Sequence, residues 1–101
     1  MGKAKVTRTL YKGDTRTTAI KNNPNRNVTT TAVKAKNGSS EFVKTKNGKT
    51  TKRLSIAEDV NGKKIGVLTK NVSSGGNAKV MKQVSPKRVE RKVNRMIRKT
   101  M

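Results

Sequence analysis

The sequence predicts a small β-rich α+β fold: an antiparallel β-meander with a basic extended arm before it and an amphipathic α-helix after it. Three observations lead there. Asn37-Gly38, Asn47-Gly48 and Asn61-Gly62 punctuate a stretch rich in Thr, Val and Ile. Asn-Gly is the strongest short hairpin signal, because both residues tolerate the positive φ of a type I′ turn. Ser85-Pro86 then opens a segment whose apolar residues recur with helical spacing. Finally, 26 Lys+Arg stand against 5 Asp+Glu, for a formal net charge of +21 over 101 residues.

Residues 1–27 carry Lys3, Lys5, Arg8, Lys12 and Arg16 among few apolar residues, and end in the turn formers Asn22-Asn23-Pro24-Asn25. No apolar period is evident, so an extended arm lying on phosphates is expected. Residues 28–70 are expected to form the meander, with runs at 28–36, 41–46, 49–57 and 63–70. Leu54 and Ile56 share one strand face, and Ile65 and Val67 share one, because side chains alternate with period two. The expected result is a half-buried sheet with a cationic outer face. Val33-Lys34-Ala35-Lys36-Asn37-Gly38 is echoed by Val43-Lys44-Thr45-Lys46-Asn47-Gly48, as successive strands of a hairpin repeat would be. Residues 71–84 contain Ser73-Ser74-Gly75-Gly76 and read as a flexible linker.

In 85–101, Ser85 is a candidate N-cap and Pro86 suits the first helical position. Val89, Val93, Met96 and Ile97 fall at i, i+4, i+7 and i+8, one stripe of a helix. Lys87, Arg88, Arg91, Lys92, Arg95, Arg98 and Lys99 cover the rest. The stripe is expected to cap the sheet's apolar face while the cations look outward. Ser85-Pro86-Lys87-Arg88 also resembles the Ser-Pro-basic-basic repeats of linker-histone tails, which implies minor-groove contact, but helix capping accounts for the same Ser and Pro.

Composition narrows function. Histidine and cysteine are absent, which removes the usual neutral-pH acid–base group, thiolate metal sites and disulfides. The five carboxylates are scattered, and the adjacent pair Glu58-Asp59 reads as a solvated approach to the Asn61-Gly62 turn. No Gly-rich phosphate loop precedes a helix. An enzyme is not expected, nor a cofactor or metal. No apolar run is long enough for a membrane span, and no signal-peptide core follows the basic N-terminus, so the chain is expected to stay where it is made.

Eleven Val, four Ile, three Leu and one Phe make a thin apolar complement. So much like charge on so little core favours balance from outside, and a small core with flanks that order against a partner is expected. The expected partners are nucleic acid, through its phosphate backbone and without sequence preference, and other protein chains of a large assembly. Tyr11 and Phe42 are the only aromatics, too few for a base-stacking surface. Candidate phosphate contacts are Lys3, Lys5, Arg8, Lys12, Arg16, Lys34, Lys36, Lys44, Lys46, Lys52, Arg53, Lys87, Arg88, Arg91, Lys92, Arg95, Arg98 and Lys99. The leading reading is a structural protein lining the interior of a virion, against packaged genome or acidic capsid surfaces. The alternatives are a cytoplasmic ribosomal or ribosome-associated RNA-binding protein, and a nucleoid-type DNA compactor.

Overall fold

Asn47 and Gly48 adopt φ of 52° and 76°, the two positive angles that a type I′ turn demands. They join Ser40–Lys46 to Lys49–Glu58 with Lys46 opposite Lys49, and the register shifts by one residue between Lys44 and Thr45. The other two Asn-Gly turns are built differently, with positive φ only at Gly38 and Gly62. Asn37 instead uses its Oδ1 to accept from the Ser39 amide at 2.9 Å. At the last turn Asp59 Oδ1 accepts from the amides of Asn61 and Lys63, each at 2.9 Å. That occupies the carboxylate next to Glu58 in an Asx-type turn.

The computed structural model describes residues 5–72 and 78–101 of the 101. Seven strands follow in chain order: β1 (Thr7–Lys12), β2 (Arg16–Asn23), β3 (Val28–Ala35), β4 (Ser40–Lys46), β5 (Lys49–Glu58), β6 (Lys64–Val72) and β7 (Ala78–Val84). Each pairs antiparallel with the next, in spatial order β1-β2-β3-β4-β5-β6-β7. One helix, α1 (Pro86–Thr100), closes the chain.

Two expected boundaries are corrected. The basic arm expected over 1–27 gives way to strand over 7–12 and 16–23, because β1 and β2 belong to the sheet, with Leu10 opposite Ala19 and Ile20 opposite Thr9; residues 1–4 lie outside the described residues. The sparse apolar residues were enough, since one inward residue per strand suffices beneath a helix. The linker expected over 71–84 gives way to strand at both ends, in β6 and β7. Its Ser-Ser-Gly-Gly centre lies outside the described residues.

The core is a single line. Leu10, Ala19, Ala32, Phe42, Leu54 and Leu68 face one another across β1 to β6 in direct register. Val89, Val93 and Met96 of α1 are buried against this row, with Ile97 partly buried beside them. The helix therefore crosses the strands instead of following them. Fifteen residues at about 1.5 Å rise span roughly 22 Å, close to the roughly 24 Å across six strands. Ala19 and Ala32 are fully buried, and their small side chains leave room for the helix over the middle of the sheet.

Gly66 marks where β7 turns into α1. A Cβ there would lie 2.7 Å from the Val84 carbonyl oxygen and 2.9 Å from that of Ser85, so only glycine lets the backbones approach this closely. Ser85 has the extended backbone of an N-cap, but its side chain makes no capping bond. Its carbonyl accepts from the Arg88 amide at 3.0 Å. At the other end Thr100 Oγ1 donates to the carbonyls of Ile97 and Met96, at 2.7 and 3.2 Å.

Each expected pair shares a face, and register sets the two pairs on opposite sides of the sheet. Leu54 and Ile56 do point to the helix, but Val67 sits opposite Ser55 and Ile65 opposite Ala57. Ile65 and Val67 therefore lie on the other face, and Leu68 supplies the core residue of β6.

Candidate nucleic-acid interface

The expected cationic outer face is also reversed by the register. In the strands, Arg8, Lys12, Lys21, Lys34, Lys44, Lys46, Lys52, Lys64, Lys70 and Lys82 share the face that carries the helix. Across β1 to β6 the opposite face has Arg16 and Arg53 as its strand cations, and Lys79 of β7 takes a register position on that side, opposite Asn71. Arg53 lies 3.5 Å from Glu41, an ion pair on that face. Alternation explains the segregation, because most of these cations sit two residues from a core position and so project beside the helix.

On one flank of α1 the cations form a row. Arg8 pairs with Lys21, Lys21 with Thr30, Thr30 with Lys44, Lys44 with Lys52 and Lys52 with Lys70. This row runs parallel to the core row and directly beside it. The helix adds a second wall, since Arg88, Lys92, Arg95 and Lys99 recur on the side turned toward that row. Arg8, Lys21, Lys44, Lys92, Arg95 and Lys99 line one concavity together with Thr30, Phe42 and Met96. A continuation near β2 and β3 is lined by Lys21, Asn23, Arg26 and Lys44. The trough is about 24 Å long on its sheet side and about 16 Å along the helix flank.

None of the five carboxylates enters it. Asp14 and Asp59 lie in turns, Glu58 ends β5, Glu41 is on the far face, and Glu90 is on the other flank of α1. That second flank differs in kind. It carries Asn94, whose Oδ1 accepts from Lys34 Nζ at 3.2 Å, together with Glu90 and the partly buried Ile97. The outermost surface of the helix adds Arg91 and Arg98 to Arg88 and Arg95.

Burial and the crowding of like charge both act on Lys52. Lys52 has its pKa lowered from the usual lysine range, first by partial burial and then by repulsion from Lys92, Lys70, Arg88 and Lys44. Each named neighbour is a wall of the trough. Lys92 Nζ also stands 5.6 Å from the centroid of the Phe42 ring, a cation–π contact that holds one wall cation in place.

Of the candidate contacts, the structure brings together Arg8, Lys44, Lys52, Arg88, Lys92, Arg95 and Lys99. Lys46 extends the same face beyond the row, and Lys12 and Lys34 lie along the other flank. Arg91 and Arg98 crown the helix, and Lys87 is exposed in its first turn. Lys36 sits in the turn after β3, Lys5 precedes β1, and Arg16 and Arg53 face away. Lys3 lies outside the described residues. Lys21 and Lys70 belong to the row and were not singled out from sequence. Counting outward from the core position in each strand would have found them, once Ala19 was recognised as such a position.

Phe42 is buried beneath the helix and Tyr11 stands on the far face, so no aromatic ring is offered for base stacking in the trough. Among the described residues no three His, Cys, Asp or Glu side chains cluster as metal ligands, and no helix is long and apolar enough to cross a membrane. No family model matches the chain, and no curated protein or solved structure is significantly similar to it.

Proposed function

We propose that this protein is a non-enzymatic structural protein that binds the phosphate backbone of nucleic acid without reading its sequence. The observation that carries the reading is the two-walled cationic trough beside α1, with no carboxylate in it. Cations recur along its floor at about 4.8 Å from strand to strand and along its wall every three or four residues. A line of phosphates can therefore be met from two sides. Each neutralised phosphate releases condensed counterions and relieves the repulsion felt by Lys52. The lack of an available ring argues against base recognition, since sequence-tolerant single-strand binders stack bases on aromatics.

The setting we assign is the interior of a virion, where a densely packed genome supplies the missing negative charge. Detection of the chain in purified particles by mass spectrometry tests that setting, and its confinement to infected-cell cytosol would rule it out. Binding itself is tested by fluorescence anisotropy with a labelled duplex across a salt series. The expected slope of log K against log salt is about −0.9 for each phosphate engaged, with little difference between sequences. A salt-independent affinity, or strong preference for one sequence, contradicts the reading.

A further inference from the structure

The sheet face opposite the helix has no covering element among the described residues, and its chemistry is unlike the rest of the surface. Its central rows run through Ile20, Thr31 and Val43, and through Thr18, Val33 and Val67. All six are partly buried by their neighbours on the flat pleat. Its charges across β1 to β6 are Arg16 and the facing pair Arg53 and Glu41, and Lys79 adds one register position on this side at the β7 edge. We propose that this face packs against the same face of a second copy, forming a face-to-face β-sandwich dimer.

Three features favour a second copy as the occupant. Seven strands about 4.8 Å apart, each about seven residues long at 3.4 Å, present roughly 800 Å² per copy, the share of a standard stable interface. Charge points the same way. Two chains of net charge +21 repel one another on every basic surface, whereas this face carries few cations and its central charges, Arg53 and Glu41, balance. A polyanion gains little from it for the same reason. The margins also complement each other. Tyr11 and Met81, 58% and 71% exposed, stand on this face at its opposite edges, on β1 and β7. A two-fold axis along the central strand lays the β1 edge of one copy over the β7 edge of the other, so aromatic and thioether surface meet.

The consequence rests on the nucleic-acid reading. Two sheets packed about 10 Å apart carry their helices outward, so one dimer holds cationic troughs on opposite sides and bridges two phosphate backbones. The dimer itself does not depend on that reading.

Light scattering on the nuclease-treated chain in about 1 M salt, where charge repulsion is screened to about 3 Å, tests the proposal. The expected mass is twice 11.1 kDa. Val43→Lys and, separately, Thr31→Lys should each return the single-chain mass with an unchanged circular-dichroism spectrum, while Val43→Thr keeps the dimer. A parent chain that stays monomeric at every concentration overturns the proposal, whether or not some other protein covers the face. So does a dimer that survives both lysine variants as folded chains. With two differently labelled duplexes, the parent should give energy transfer between them. Val43→Lys should bind one duplex as tightly as the parent but give no transfer. If the parent binds no duplex, the functional reading fails while the dimer mass still stands.

Discussion

The two faces of this sheet come from the same strands, yet one gathers charge and the other avoids it. On the helix side, each strand places an apolar residue under α1 and a cation nearby on the same face, as Phe42 and Lys44 do, or Leu54 and Lys52. On the far side the same strands show Thr, Val and Ile, with Arg53 and Glu41 neutralising one another at 3.5 Å. The contrast teaches how a small core and a cationic surface are made together. The helix both buries the apolar row and walls the trough, so the core and the trough draw on neighbouring positions of the same strands.

Reversing charge in the trough should produce the largest effect. The triple change Lys44→Glu, Lys52→Glu, Lys92→Glu is expected to weaken duplex binding by on the order of a thousandfold at low salt, and to flatten the salt slope by about 0.9 for each phosphate no longer engaged. The far-face change Arg53→Gln should leave affinity within about twofold, since exposed pairs contribute little. Equal reductions in affinity from the two faces, measured by anisotropy, would erase the distinction between them.

The faces should also differ in stability. Leu54 is 1% exposed under the helix, and Leu54→Ala is expected to cost about 2–5 kcal/mol by leaving a cavity. Val43→Ala on the far face should cost about 1 kcal/mol or less, because its side chain is only partly covered. Urea titration of both variants compares them directly. Gly66→Ala ranks next, at about 2 kcal/mol, because its Cβ would meet two carbonyl oxygens where β7 enters α1. Gly48→Ala, at positive φ but with open space around it, should cost about 1 kcal/mol.

The smallest effect concerns Lys52, and it separates stability from binding. Its pKa in the fold lies below that of the unfolded chain. The penalty on the charged form is therefore present in full below the folded value, and it fades as pH rises through the unfolded value. Lys52→Met should raise the melting temperature slightly at neutral pH and low salt, with the gain shrinking in alkali or at high salt, while duplex affinity falls. Nucleic acid should raise the Lys52 pKa, visible by NMR titration of its side chain, and binding should weaken as pH climbs through that value.

Several elements were legible in the residues. The Asn47-Gly48 hairpin follows from two residues that accept positive φ, and Val89, Val93 and Met96 identify the helix and its buried side. The cations of α1 were equally plain. Hidden were β1 and β2, whose inward positions hold Leu10 and Ala19 among polar neighbours. One apolar residue per strand gives no period to detect. Lys21 and Lys70 were hidden with them, because membership of the trough depends on cross-strand register, not on nearby sequence.

Local chemistry thus determined where the chain turns, where it becomes helical, and how much positive charge it carries for so little core, since these depend on a residue and its near neighbours. Which face most of the strand lysines share, and that the far face carries few charges, were decided only when seven strands took a common register and the helix crossed them. A shift of one residue in that pairing would exchange the faces, and no single strand carries the information to forbid it.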